Sequence, residues 1–165
     1  MGCRHRTLRH RRPRCEYPMP VAAPRLPRVH ESKGLTMGVI RTTAAPGVPA
    51  SFPFSLACEA RDVCFISGMP ALNSDGALAA GTFQQETELA WRHTMAIVEA
   101  AGYSVENIVY VQCVLADIAD YSELNDWWRR QFPDSGSAPA RFTFQAGALP
   151  FGAKIEFQAV VAASR

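Results

Sequence analysis

The sequence predicts an α+β domain in which one sheet carries two helices on a single face, in the order β-β-β-α-β-α-β-β. Three observations carry this reading. Segments near 55–60, 63–67, 141–145 and 154–162 are rich in β-branched and aromatic residues, with the alternation of half-buried strands. Two other stretches, about 84–101 and 121–132, space their apolar residues three and four apart, as amphipathic helices do. Turn signals separate these segments, and no internal repeat is evident.

Taken in order, residues 39–43 predict a short first strand, followed by a loop at Pro46-Gly47 and Pro49. The strands at 55–60 and 63–67 are joined through Ala60-Arg61-Asp62, a hairpin connection, and Asn73-Ser74-Asp75-Gly76 is a strong turn. Ala90, Trp91, Thr94, Ile97, Val98 and Ala101 line one side of the first helix, which Gly102 stops. Residues 107–116 are almost unbroken apolar sequence, as expected of a strand buried on both faces. Asp120 and Glu123 fit a capping box that launches the second helix, with Tyr121, Leu124, Trp128 and Phe132 along one side. Pro133 and Ser135-Gly136-Ser137 end it. Two strands follow, separated by a loop holding Gly147, Pro150 and Gly152.

Length and charge divide the chain in two. Residues 1–36 hold nine basic residues against Glu16 and Glu31, interleaved with prolines; the other 129 hold eight basic and thirteen acidic residues. A segment so charged and proline-rich cannot bury enough apolar surface to offset its ordering entropy, so disorder is expected there. Three readings of it stand: a basic nucleic-acid arm, an organelle transit peptide, or an upstream extension preceding a natural start at Met37. Residues 37–165 form the domain, and their net acidity argues against a nucleic-acid groove. Five irregularly spaced cysteines make no disulfide framework; Cys58, Cys64 and Cys113 lie in apolar runs, as buried thiols of a reducing, cytoplasmic compartment would. No apolar run is long enough to span a membrane, and no Cys/His ligand set suggests a metal.

Two charges stand out from otherwise ordinary core material. Arg141 opens a strand, and Glu156 sits in mid-strand opposite the Ile155, Phe157, Ala159 and Val161 face. A guanidinium is a planar fork of donors that matches a carboxylate, and a carboxylate can orient or deprotonate water. Either residue could equally be a solvated strand charge. Gly68 would let a ligand approach the backbone closely, or is a plain strand exit. Ser67 has no base partner in sequence, which gives no serine nucleophile. His93 reads as a satisfied core or surface histidine, and Trp91, Trp127 and Trp128 as packing or subunit-contact residues.

Phe65-Ile66-Ser67-Gly68-Met69-Pro70, the run 96–102, Pro139-Ala140-Arg141, and Leu149-Pro150 followed by Lys154-Ile155-Glu156 resemble the RidA/YjgF family of enamine and imine deaminases over about 39–163. The resemblance implies a chorismate-mutase-like fold, a homotrimer with ligand pockets at its subunit interfaces, and cofactor-free, metal-free hydrolysis of small 2-imino or enamine acids to 2-keto acids and ammonia. It assigns Arg141 to the substrate carboxylate and Glu156 to the water. Ser67, Gly68, Thr143 and Asn125 would line or adjoin the pocket, Thr143 through backbone groups facing the reacting carbon. Two departures are visible: Phe54 stands where the family carries a pocket tyrosine, and Phe142-Thr143 follow the arginine in place of Ser-Cys.

Two rivals follow from the same resemblance, a non-catalytic carboxylate-binding sensor or structural trimer and, well behind, an RNA-acting protein. The enzyme reading expects Arg141 and Glu156 to converge in one cleft where protomers meet. Opposite orientations across the sheet, or a cleft plugged by Phe54 and Phe142, would overturn it.

Overall fold

A computed structural model describes residues 38–50 and 52–163; the expectations for residues 1–36, including a start at Met37, lie outside the described residues. The strands are β1 (Ile40–Thr42), β2 (Ala57–Ala60), β3 (Val63–Pro70), β4 (Ile108–Leu115), β5 (Ala140–Gln145) and β6 (Ile155–Ala162), and the helices are α1 (Phe83–Ala100) and α2 (Tyr121–Gln131). They follow the expected α+β order. The six strands make one sheet in the spatial order β1-β2-β3-β6-β4-β5, antiparallel except for the parallel pair of β4 and β5. A parallel pair needs a crossover, and α2 supplies it.

Both helices cover the same face. Ile155, Phe157, Ala159 and Val161 of β6 are buried, as are Val111 and Cys113 of β4 and Cys64 and Ile66 of β3. Against this face Trp91 of α1 sets its ring edge-on to Phe157 at 5.3 Å, while Trp127 of α2 stacks on the same ring at 5.4 Å. Trp91 and Trp127 are thus packing residues, as the sequence suggested. The opposite, open face holds Phe65, Val160, Gln158, Glu156 and Phe142, with Phe65 53% and Phe142 54% exposed. The expectation that 107–116 is buried on both sides is corrected here. Tyr110, Gln112 and Val114 stay half-exposed, because the helices of one chain cover only one face.

Helix ends account for most of the boundaries. Thr82 caps α1 in a capping box with Gln85, which starts the helix at Phe83. Its far end closes in a Schellman motif: Tyr103 N donates to Val98 O, Gly102 N to Glu99 O, and Gly102 takes φ +84° as predicted. The capping box expected at Asp120 is absent. Asp120 already has helical dihedrals, with φ −75° and ψ −3°, so its side chain cannot turn back onto the helix. A 3-10 turn (Ile118–Asp120) precedes α2 instead, and Asp117 caps that turn through Ala119 N.

A polar knot fastens the start of α1 to the start of β6. Glu86 is fully buried, yet its carboxylate accepts from Lys154 Nζ at 2.6 Å, Lys154 N at 2.8 Å and Gly81 N at 3.3 Å. Lys154 Nζ also donates to Gly81 O at 2.8 Å. Removing the cation would strand a buried carboxylate whose desolvation is then offset only by two backbone N–H groups. Lys154→Met is therefore expected to cost about 3 kcal/mol of stability, read as a lower urea midpoint at unchanged m-value.

Candidate active site

A cavity of about 620 Å³ opens on the sheet's open face, against the ends of β3 and β6. Glu156 reaches it because alternation along β6 turns it away from the core residues Ile155 and Phe157. Ser67 and Gly68 line it from an irregularity in β3, where the register with β6 shifts between Ile66 and Met69. Gly68 has a steric reason. A Cβ at this position would overlap the Glu156 carboxylate, so only glycine lets the acid lie against the strand. Ser67 Oγ donates to Ser55 O at 2.8 Å and is thereby occupied in holding the loop. Burial pushes the Glu156 pKa upward, and among the described residues no cation or donor side chain is paired with the carboxylate.

Aromatic rings form the rest of the wall. Phe54 stacks on Phe52 with centroids 5.1 Å apart, and both line the cavity with Phe151 and prolines. Phe54 lines the cavity and is 49% exposed in the single chain; Phe142 is not among the lining residues, and packs beside Phe144 at 5.6 Å. Phe151, 59% exposed, has φ +61°, a left-handed conformation disfavoured for a bulky side chain.

The arginine occupies a second place. Arg141 pairs with Val111, which puts its side chain on the helix face at the sheet edge, beside α2. Its Nη2 donates to Asn125 Oδ1 at 2.5 Å and, more weakly, to Tyr121 Oη at 3.5 Å. The guanidinium carbon lies 5.0 Å from the Trp128 ring centroid and 5.6 Å from that of Tyr121. One amide and two rings thus fix the orientation of the fork. Among the described residues Nη1 is shielded and has no hydrogen-bond partner; Thr143 Oγ1, two residues along the same face of β5, is shielded too and sits beside the Cys113 thiol on the neighbouring strand. An unpaired buried donor is costly, and a carboxylate oxygen is the acceptor that suits it best.

The sequence-predicted residues therefore assemble as two groups. Glu156, Ser67, Gly68 and Phe54 share the cavity; Arg141, Asn125 and Thr143 share the β5–α2 edge. Within one chain the guanidinium and the acid lie on opposite faces of the sheet, the orientation set above against the enzyme, and this rules out a site built by one protomer. A single protomer does not bring them into one cleft. Sequence reasoning missed Tyr121 and Trp128 as partners of Arg141, although Tyr121, Asn125 and Trp128 are spaced four and three apart on α2, the signal of one helical stripe. It also missed Phe52 and Phe151.

The remaining polar candidates are structural. His93 is buried, with Nδ1 donating to Pro70 O at 3.3 Å, and burial lowers its pKa. Burial pushes the thiol of Cys64 up to about 11 and that of Cys113 up to about 12, the latter against the opposing pull of Arg141. Cys58, expected to be buried, is only partly covered, because it points to the open face opposite Phe65. Among the described residues no group of three or more His, Cys, Asp or Glu could hold a metal ion, and no helix is long and apolar enough to cross a membrane.

Residues 42–163 match the family described as Endoribonuclease L-PSP. The chain is 36% identical over 123 residues to the mouse protein named 2-iminobutanoate/2-iminopropanoate deaminase, covering 74% of this chain and 88% of that one. Among solved structures it is similar to the YjgF gene product of E. coli, with 26% identity, a TM-score of 0.67, and coverage of 76% of this chain and 100% of that one. E. coli TdcF with bound serine gives 27% identity and a TM-score of 0.64, covering 77% of this chain and 99% of that one.

Proposed function

Given that this chain belongs to the Endoribonuclease L-PSP family, the RidA/YjgF group, we propose that it hydrolyses reactive 2-imino and enamine acids to 2-keto acids and ammonia. One observation carries the reading: a partly desolvated carboxylate, Glu156, without a partner among the described residues, faces an open cavity shaped around it by Gly68. The relative named a 2-iminobutanoate/2-iminopropanoate deaminase supports the reaction, and the bound serine in TdcF supports a small amino-acid-like carboxylate as ligand.

The chemistry follows from these groups. An imine carbon is already electrophilic, so the protein need only orient it, deliver water and stabilise the adduct, with no cofactor required. Arg141 takes the substrate carboxylate. With the substrate as its iminium, Glu156 accepts a proton from water as the water oxygen bonds to C2, giving a neutral carbinolamine. It then returns that proton to the nitrogen, and the freed carboxylate takes the C2 hydroxyl proton as the C–N bond breaks, so that ammonia leaves, the keto group forms and Glu156 passes the proton on to solvent. An enamine enters the same route by protonation at C3.

Arg141 and Glu156 serve one substrate only if they come from different copies of the chain. Two unlike patches mate head-to-tail, and head-to-tail contacts form a ring when the rotation between copies closes and an open filament when it does not. A homotrimer with three interface sites fits that requirement and covers the open sheet face, with its exposed Phe65 and Phe142. In each site Glu156, Ser67, Gly68 and Phe54 come from one protomer; Arg141, Asn125 and Thr143 come from its neighbour.

The test is clearance of 2-iminobutanoate, generated in situ by an amino-acid oxidase, with 2-keto acid release followed at a protein concentration that preserves the oligomer. No acceleration over the spontaneous reaction would overturn the hydrolase. A second reading, carboxylate binding without turnover, is favoured by the Phe54 ring, which brings no hydroxyl to the cavity. Tight 2-keto acid binding without hydrolysis of any imine would select it. An RNA-acting role ranks third; its test is salt-dependent RNA binding by the full chain and by a version starting at Met37, and loss of binding on truncation would assign it to residues 1–36 alone.

A further inference from the structure

We propose that the cavity beside Glu156 selects 2-imino acids with large apolar, above all aromatic, side chains, and that Phe151 and Phe54 are the residues that set this preference. The inference rests on the hydrolase reading and names its substrate class. The cavity's size argues first: the half of the site that one protomer contributes measures about 620 Å³ before a neighbour covers it. That lies within the roughly 300–1,000 Å³ range of pockets for drug-sized ligands, so room for a substrate side chain larger than ethyl remains after part of it is covered.

The lining argues next. Phe52, Phe54 and Phe151 present rings to this space, with Pro49, Pro53 and Pro70 filling the wall between. Proline and phenylalanine side chains offer no hydrogen bond, so a polar substrate side chain would lose its water without replacement. The Ser67 hydroxyl is taken by Ser55 O and one Asp75 oxygen accepts from Ala77 N, so the polar groups left to a ligand at the described lining are carboxylate oxygens of Glu156 and Asp75. Both are acids. An acidic substrate side chain would meet like charge there as well as apolar wall.

Phe151 adds an independent observation. Its φ of +61° places a bulky residue where glycine is ordinarily found, next to Gly152 at φ +74°. A large apolar ring held at the opening in a disfavoured backbone conformation is costly for the fold alone, and such outliers collect at binding sites. An aromatic substrate ring gives Phe151 and Phe54 offset-stacked or edge-on partners that a methyl or ethyl group cannot provide.

The experiment compares kcat/KM for imines generated in situ from phenylalanine, 2-aminobutyrate and glutamate, using the wild-type chain, Phe151→Gly and Phe54→Ala. Phe151→Gly keeps a residue at ease with positive φ while deleting the ring. The readout is the phenylalanine-to-aminobutyrate ratio within each preparation, which the folded fraction does not alter. Wild type should favour the aromatic imine by about 10–100-fold and turn over the glutamate-derived one most slowly. Each variant should lower the ratio by about threefold or more. A wild-type ratio at or below one, or a ratio unmoved in both variants, overturns the inference and leaves the hydrolase intact. No turnover of any imine removes both.

Discussion

Arg141→Ala is expected to lower kcat/KM for 2-iminobutanoate by about 10²–10³-fold, the loss that follows deletion of one partner of a hydrogen-bonded charge pair. The fold should survive, because Arg141 sits at the open edge of β5 and its polar partners, Asn125 and Tyr121, belong to the partly exposed side of α2. Arg141→Lys keeps the charge but not the planar fork resting on Trp128, so it should fall between the two. The opposed placement of Arg141 and Glu156 supplies a stronger test. Chains carrying Arg141→Ala and chains carrying Glu156→Gln, each inactive alone, should regain about a quarter of wild-type activity when unfolded together and reassembled one to one, since random head-to-tail neighbours restore about a quarter of the interface sites. A mixture as inactive as its components would overturn the shared site and the pairing of Arg141 with Glu156 on one substrate.

Glu156→Gln is the second large effect, and it should act in opposite directions on rate and stability. Loss of the proton carrier is expected to cost about 10²–10⁴-fold in kcat. Burial, however, pushes the pKa of this carboxyl up, so the native state binds its proton more readily than the unfolded chain does. Stability contributed by that group therefore falls as pH rises through the native pKa, and the deficit persists at neutral pH. Replacing the acid with an amide removes the deficit. The urea midpoint at pH 7 should rise, whereas below the ordinary glutamate value of about 4.3 both proteins should unfold alike. The same shift should place the acid limb of the wild-type pH–rate profile above that ordinary value. An acid limb in the usual carboxylate range would mean that another group delivers the water.

Much of this was legible from residue patterns. Alternation around Ile155, Phe157, Ala159 and Val161 gave the core face of β6 and put Glu156 on the other, and the helical spacing of Ala90, Trp91, Thr94, Ile97 and Val98 matched the buried stripe of α1. What pattern alone could not give was register between strands distant in sequence. The face of Arg141 depends on its pairing with Val111 in a parallel ladder, which no local signal specifies. The Glu86–Lys154 knot joins residues 68 positions apart and was invisible for the same reason. Asp120 misled because residue type does not report dihedral angles: the 3-10 turn made it helical at the very position where it was expected to cap. The Phe151 ring escaped notice because only its positive φ and its neighbours mark it out.

The place of β6 between β3 and β4 also has a consequence for how the protein comes into being. The chain emerges with a hairpin of β2 and β3 on one hand and the β4–α2–β5 crossover on the other. Neither can join until the strand made after all the others slides between them. Assembly on the ribosome would thus wait, with apolar strand edges uncovered, for its closing piece. Slow, late-cooperative folding of the kind that long sequence separations impose should follow, together with a need for shelter during synthesis.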